Sequence, residues 1–341
     1  MATALQILHD SISFIFSHLL IINVLLSIVV VFFQRRNPKS VWAWLLILYF
    51  IPVLGFVFYL LIGADMHKRK MFRTKEIEDR LANAIRRQEL MIRSQELKQK
   101  YPGVTDYSDL VMYHLHTTSA ILSDDNDVQF FVNGEDKFAA LKEDMRNAKK
   151  SIHIQYYIIK NDELFRSIVE ILKEKVKEGV KVRILYDSMG CWKMRKKIWK
   201  QLEKEGIQCT EFFPALVGRL HLRINYRNHR KIVVIDDCIG YVGGFNIGKE
   251  YIDKDPKFGH WRDTHMRITG SSVTALEARF ILDWNFADRK RLLSYEDYMD
   301  NLKMEHTGRS PIQIITSGPD SHDEYIRNTY VRMIHKARKS I

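Results

Sequence analysis

Cysteine is scarce: Cys191, Cys209 and Cys238 are the only three, scattered and without a C-x-x-C spacing. That excludes a disulfide framework and a cysteine zinc site, and it predicts free thiols in a reducing compartment. No histidines stand at metal-site spacing either, so His153, His221 and His265 are read as packing or surface residues. Charge is missing from two long stretches near the start. Residues 11–33 (SISFIFSHLLIINVLLSIVVVFF) and 41–63 (VWAWLLILYFIPVLGFVFYLLIG) hold no Asp, Glu, Lys or Arg. Each matches the roughly 20 apolar residues that a bilayer-spanning helix needs. A removable signal peptide is the competing reading for the first and fits poorly, since the leader is not basic, the apolar run is too long and no small-residue cleavage site follows.

Residues 1–75 are therefore predicted to form a transmembrane helical hairpin. Its connecting loop carries Arg35, Arg36 and Lys39, and the segment after it carries Lys68, Arg69, Lys70, Arg73 and Lys75. The heavier flank predicts a multi-pass protein of the cell membrane whose soluble part is cytoplasmic. An acidic excess is also lacking. Lys and Arg number 53 against 41 Asp and Glu, a net charge of +12. This favours an anionic partner, either nucleic acid or an acidic lipid surface, and does not choose between them.

Residues 76–100 contain no Gly or Pro and are rich in charge, predicting a spacer helix within a helical linker over 76–125. A second helix is expected over Ser108 to Ile121. An α/β pattern follows. Strands are expected over 127–134, 151–159, 180–186 and 207–213, with helices over 136–150, 164–178 and 194–205 between them. Of Tyr156 and Tyr157, which alternate faces, one should be core and the other should line a cleft. A strand pair over 231–242 should turn at Asp237-Cys238. Helix 272–286, with Leu276, Phe280, Leu282 and Trp284, reads as core. The basic run Lys193 to Lys200 could touch anionic headgroups or be a solvated helix face. The string Val128-Gln-Phe-Phe-Val-Asn-Gly134 is echoed by Ile312-Gln-Ile-Ile-Thr-Ser-Gly318, and Ala148-Lys-Lys-Ser-Ile152 by Ala337-Arg-Lys-Ser-Ile341. The echoes predict a duplicated unit, with a first half over 126–300 and the opening of a second, cut short, over 301–341.

The chemistry gathers at His229-Arg-Lys231, followed by Asp236 and by Gly243-Gly244-Phe-Asn246, an H-x-K-x4-D-x6-G-G-x-N pattern. In an extended strand His229 and Lys231 share a face, about 7 Å apart. Histidine can attack phosphorus and later leave, and a lysine charge can hold non-bridging oxygens. Asn246 could donate to the same oxygens, while Gly243 and Gly244 permit close backbone approach. Asp236 fits catalysis or the strand-end turn equally. Gly243 to Lys249 satisfies G-x4-G-K, but Glu250 stands where a nucleotide loop needs Ser or Thr, which excludes that reading.

This motif resembles the first signature of the phospholipase D superfamily. The strings RNHRKIVVIDDCIGYVGGFNIGKEY, IHIQYYIIKND and FGHWRDTHMRITG, with the paired apolar segments, resemble the N-terminal part of bacterial cardiolipin synthases. The resemblance implies an α/β fold: a transmembrane hairpin, one phospholipase D-type α/β/α sandwich half and the start of a second. It implies a phosphatidyltransferase without metal or cofactor, in which His229 attacks phosphatidylglycerol, releases glycerol and passes the phosphatidyl group to a second phosphatidylglycerol. It also implies a carboxylate downstream that orients the histidine, for which Asp263 is the candidate. Anionic membrane lipids, and no nucleic acid, are the expected partners. Such enzymes use two H-x-K-x4-D motifs, and this sequence holds one, since His335-Lys336-Ala337 is followed by no aspartate. A phospholipase D-type nuclease and a non-catalytic membrane protein are the alternatives, and the apolar hairpin argues against the nuclease.

Overall fold

A computed structural model describes residues 38–51, 85–94, 102–214, 227–318 and 323–341, with isolated positions before 56. The chain divides into two compact units, 1–70 and 71–341. In the first, helix α1 (Pro38–Phe50) follows from an unbroken apolar run. Asn23 Nδ2 donates to the Leu48 carbonyl of α1 (3.3 Å). Most of the expected span 11–33, and most of 41–63 beyond residue 51, lie outside the described residues. Among the described residues no helix is long and apolar enough to cross a membrane.

The second unit is a mixed α/β fold. Its longer helices include α2 (Ser108–Thr118), α3 (Gly134–Asn147), α4 (Glu163–Lys177), α5 (Lys196–Lys204), α6 (Val273–Ala287) and α7 (Tyr325–Lys336). Its strands are β1 (Leu122–Phe131), β2 (Ser151–Tyr156), β3 (Lys181–Asp187), β4 (Gln208–Phe212), β5 (Ile232–Ile235), β6 (Ile239–Gly243), β7 (His265–Thr269) and β8 (Ser310–Gln313). Side chains start two of the helices. Asn133 accepts from the Asp136 N–H (2.9 Å) before α3, and Asp162 from the Phe165 N–H (3.1 Å) before α4. Each satisfies a donor that the first helical turn leaves open.

One eight-stranded sheet runs in the order β4-β3-β2-β5-β6-β7-β1-β8. β2, β3 and β4 are parallel, joined by the α4 and α5 crossovers, and the remaining pairs are antiparallel. β5 therefore sits mid-sheet and is buried throughout. Its alternation divides the core. Val233 and Ile235 pack with Phe138, Ile168, Leu172 and Trp199 of α3, α4 and α5. Ile232 and Val234 face the other way, onto Val273 and Leu276 of α6. Phe280 and Trp284 of α6 continue that layer over Leu185. The expected α/β/α layering is present, and Leu276, Phe280 and Trp284 are core as read. Burying each such side chain stabilises the fold by about 1.5–3 kcal/mol relative to exposure.

β8, from the second sequence echo, pairs antiparallel with β1 from the first, with Ser123 opposite Ile312. α7 lies on α2 through Lys336 Nζ to Asp109 Oδ1 (2.7 Å) and the Arg332 guanidinium 4.0 Å from the Tyr113 ring centroid. Only Thr329 of α7 is buried.

The β5–β6 turn differs from expectation by one residue. Asp236 and Asp237 are its left-handed central residues, at φ +53° and +63°, and Cys238 N–H closes it onto the Ile235 carbonyl (3.1 Å). Left-handed backbone at both central positions matches the twist of paired strands. The Asp236 carboxylate then accepts from the backbone N–H groups of Lys149, Lys150 and Ser151 at 2.7, 2.7 and 2.9 Å. It ties the start of β2 to the hairpin. A hydrogen bond to a charged group contributes about 1.5–3 kcal/mol net of its exchange with water, less where the group is exposed. Asp236→Ala is expected to lower unfolding stability by about 2 kcal/mol, read as a lower urea midpoint at unchanged slope. An unshifted midpoint would show that this clamp contributes nothing.

Candidate active site

The residues before β5 are not free coil, because two buried carboxylates hold them. Asp187, at the C-terminal end of β3, accepts the Asn228 N–H on Oδ2 (3.0 Å) and the Met189 and Gly190 N–H groups on Oδ1 (2.9 and 3.1 Å). Asp283, on the sheet-facing side of α6, accepts from Gln155 Nε2 (2.7 Å), Asn228 Nδ2 (3.0 Å) and Arg230 (3.2 Å), and pairs with Arg279. Burial works against the Asp283 charge, but Arg230 and Arg279 outweigh it and hold the carboxyl below its ordinary range. Burial raises the Asp187 carboxyl, with its N–H donors and Arg227 opposing. With Asn228 and Arg230 fixed on either side, His229 is turned into the opposite direction.

His229 and Lys231 meet more closely than a regular strand would bring them. The strand proper begins only at Ile232, and the Lys231 ammonium curls back to donate to His229 Nδ1 (2.9 Å) and to the His229 carbonyl (2.8 Å). The His229 ring lies 4.4 Å from the Tyr157 ring, centroid to centroid, and Lys231 Nζ is 5.4 Å from that same ring. Tyr156 is buried in the core and Tyr157 faces the site, as the alternation predicts. The protein packed behind His229, and then the Lys231 charge, lower its pKa, against a small opposing pull from Asp187. Its imidazole is neutral at neutral pH. Burial brings the Lys231 ammonium down to about 8, with Asp263 opposing.

The other predicted residues separate into two groups. Asp263 is brought to the site, and its carboxylate acts electrostatically on Lys231. Its Oδ1 accepts the Thr264 N–H (2.7 Å). Gly243 and Gly244 make room for that segment. A Cβ at Gly244 would fall 1.9 Å from Asp263 Oδ1, and one at Gly243 would fall 2.4 Å from His265 Cα. The close approach that the glycines permit is that of β7. His265 is wholly buried beneath, and its pKa is held well below the ordinary value by burial, with Lys137 and Lys231 adding to it.

Asn246 and Asp236 are not brought to the phosphate-holding groups. Asn246 is buried, accepting from the Ile158 N–H (3.0 Å) and donating to Tyr251 Oη (2.8 Å), so its amide braces the chain after β2. Asp236 sits five positions beyond Lys231, at the far end of β5, about 16 Å away along the strand. Its clamp on residues 149–151 occupies it there. The sequence reading missed Asp187 and Asp283. Acidic residues on the buried stripe of α6, with Glu277 bonded to His153 Nδ1 (2.6 Å), were the available signal.

A cavity of about 350 Å³ opens over His229 and Lys231. Arg227, Arg230 and Arg279 line it with positive charge, and Phe213, Ile314 and Ile315 line it with apolar surface. Among the described residues no cluster of three or more His, Cys, Asp or Glu could hold a metal ion. A phosphate's anionic oxygens are stronger acceptors than an imidazole nitrogen. A phosphodiester in this cavity would draw the ammonium from Nδ1, leaving the imidazole free to put its lone pair on either nitrogen.

Residues 141–259 match the family described as cardiolipin synthase, phospholipase D-like domain, and residues 21–63 match the phospholipase D-nuclease N-terminal family. The chain is 43% identical over 338 residues to the major cardiolipin synthase of Bacillus subtilis, covering 96% of this chain and 68% of that one. It is 42% identical over 322 residues to a cardiolipin synthase of Oceanobacillus iheyensis, covering 94% and 66%. It thus spans about two-thirds of the length of these relatives. A solved phospholipase D family member, Nuc from Salmonella typhimurium, matches with a TM-score of 0.38 and 19% identity, over 48% of this chain and 97% of that one.

If a neutral His229 attacks and a charged Lys231 holds the phosphate, turnover should rise with pH below about 6.5 and fall through about 8. Lys231→Arg keeps a cation that does not titrate in this range. It should be slower but should lose the fall near pH 8. A pH–rate profile in which the alkaline limb stays in place would remove Lys231 as its source.

Proposed function

The chain belongs to the phospholipase D-type cardiolipin synthase family, and on that premise we propose that its site performs the first half of a phosphatidyl transfer. The observation that carries this reading is a neutral imidazole and a charged amine 2.9 Å apart, under a cavity lined by both arginines and apolar side chains. In this reading His229 attacks the phosphorus of phosphatidylglycerol. A P–N bond forms, the P–O bond to the glycerol headgroup breaks, and the leaving oxygen takes a proton. Lys231, with Arg227, Arg230 and Arg279 around it, balances the charge that gathers on the non-bridging oxygens. The hydroxyl of a second phosphatidylglycerol then loses a proton and takes the phosphatidyl group, giving cardiolipin and free His229. An ester is exchanged for an ester, so no nucleotide is needed.

The proton donor for the leaving glycerol is a different group, since His229 is engaged as nucleophile. We assign it to a second imidazole from another unit, whether further along a longer chain or on a second copy. Two observations support 301–341 as the place where such a unit would meet the first. β8 carries Ile312-Gln313, the start of the string that echoes Val128-Gln129 of β1, and pairs with β1, and α7 leaves Tyr330, Met333 and Ile334 exposed. Gly243, Gly244 and Asp263 serve as scaffold and charge partner for Lys231. Asn246 and Asp236 hold the frame that carries them.

We place the enzyme in the cell membrane through the uncharged stretches 11–33 and 41–63, with the catalytic unit on the cytoplasmic side. The basic cluster from Lys68 to Lys75 supports that side. The apolar half of the cavity supports a lipid over a nucleic acid.

Acid quenching of the protein with labelled phosphatidylglycerol should leave a phosphatidyl adduct on the peptide containing residue 229. His229→Ala should abolish the adduct and lower cardiolipin formation by the complete enzyme at least about 10³-fold. An adduct elsewhere, or DNA cleavage with no lipid product, would contradict the proposal.

A further inference from the structure

A second cationic surface lies away from His229 and takes no part in the transfer. The turn after β3, the start of α4 and the short helix Lys249–Ile252 enclose a cavity of about 560 Å³. Lys160, Lys193, Arg195, Lys197 and Lys249 line it, with Asp162 among them. Two of these cations are already paired, Lys160 with Glu250 (2.5 Å) and Lys249 with Asp255 (3.6 Å). The Asp162 carboxylate is also used, accepting the Phe165 and Lys249 N–H groups. Lys193, Arg195 and Lys197 are exposed, and among the described residues no carboxylate stands within ion-pair distance of them.

Two large aromatics rise beside this cavity. Trp192 is 52% exposed and Phe258 is 46% exposed. Lys193 Nζ lies 5.4 Å from the Trp192 ring centroid, and Lys160 and Lys257 lie 5.7 and 5.8 Å from that of Phe258. Amphipathic rings flanked by lysine are what a lipid–water interface selects. The rings enter the headgroup layer while the ammonium groups meet anionic phosphates.

The base of this surface is firm. Ile159 bridges Ile247, the Lys160 N–H bonds the Ile247 carbonyl (3.0 Å), and Cys191 Sγ accepts the Ile159 N–H (3.2 Å). Lys160 is three positions past Tyr157, whose ring touches His229. The cavity and the mouth of the active site are therefore joined by a short, hydrogen-bonded segment.

We propose that Trp192, Phe258 and the cations Lys193, Arg195 and Lys197 form a docking surface for an anionic bilayer, which seats the catalytic unit on the lipid face. The partner is a lipid surface because the same chain carries two uncharged apolar stretches that keep it beside a bilayer. The surface rests on the proposed function only for the presence of that bilayer, since none of its residues takes part in catalysis.

The test is hydrogen exchange of the full chain in nanodiscs, of neutral phosphatidylcholine or of phosphatidylcholine with phosphatidylserine. Peptides covering 188–198 and 249–258 should exchange at least about tenfold more slowly in the anionic discs. The combined Lys193→Glu, Arg195→Glu and Lys197→Glu variant should lose this protection, as should wild type in about 0.5 M salt, where screening shortens to a few Å. His229→Ala should keep it, which separates this surface from the catalytic reading. Equal exchange in both discs overturns the proposal. So does protection in neutral discs by inorganic phosphate or by an oligonucleotide, which would make the cavity a phosphate or nucleic-acid site instead.

Discussion

Two nitrogen groups held 2.9 Å apart, His229 Nδ1 and Lys231 Nζ, cannot both carry a full charge in a half-buried site. One must give way, and the direction is set by what surrounds them. Packing behind the ring and the lysine charge push the imidazole to its neutral form. Asp263 acts the other way on Lys231, keeping its pKa near 8 rather than letting burial drive it further down. The outcome is a neutral imidazole beside a charged amine, the pair that the proposed transfer calls for as nucleophile and electrostatic clamp. Neither could serve if their protonation states were exchanged.

Such a pair demands a rigid frame, and the fold supplies it with buried carboxylates on opposite sides of the motif. Asp187 fixes the backbone of Asn228 from the end of β3, and Asp283 fixes the Asn228 and Arg230 side chains from α6. The parallel β2-β3-β4 arrangement brings the first carboxylate to the same end of the sheet as the site. The sheet-facing side of α6 brings the second. Gly243 and Gly244 let β7 close against β6, which places Asp263 by Lys231. The motif works through where its neighbours lie in three dimensions more than through its own spacing.

Much of this was legible in the sequence. Alternating strands and helices are legible in their order, because burial periodicity is encoded within a few residues. His229 and Lys231 were legible as a pair, and so was the division between Tyr156 and Tyr157. The misreadings share one cause, which is long-range pairing. Asp236 reads equally as catalytic or as holding the strand-end turn, and the turn prevails because its carboxylate meets residues 149–151, more than eighty positions earlier in the chain. Asn246 is drawn away by Ile158 and Tyr251. Asp283 hides in a helix that reads as core, because its partners come from β2 and from the motif itself. Spacing along a strand reports which face a residue shares, not which distant backbone will claim it.

The protonation of His229 is read directly by nitrogen NMR of ¹⁵N-histidine-labelled protein, from its ring shifts across a titration. The midpoint for His229 should lie below the ordinary value near 6.5 and should rise in Lys231→Met, where the neighbouring charge is gone but the packing remains. A midpoint above 6.5, or one that Lys231→Met leaves in place, would contradict the claim that this lysine keeps the imidazole neutral and ready to attack.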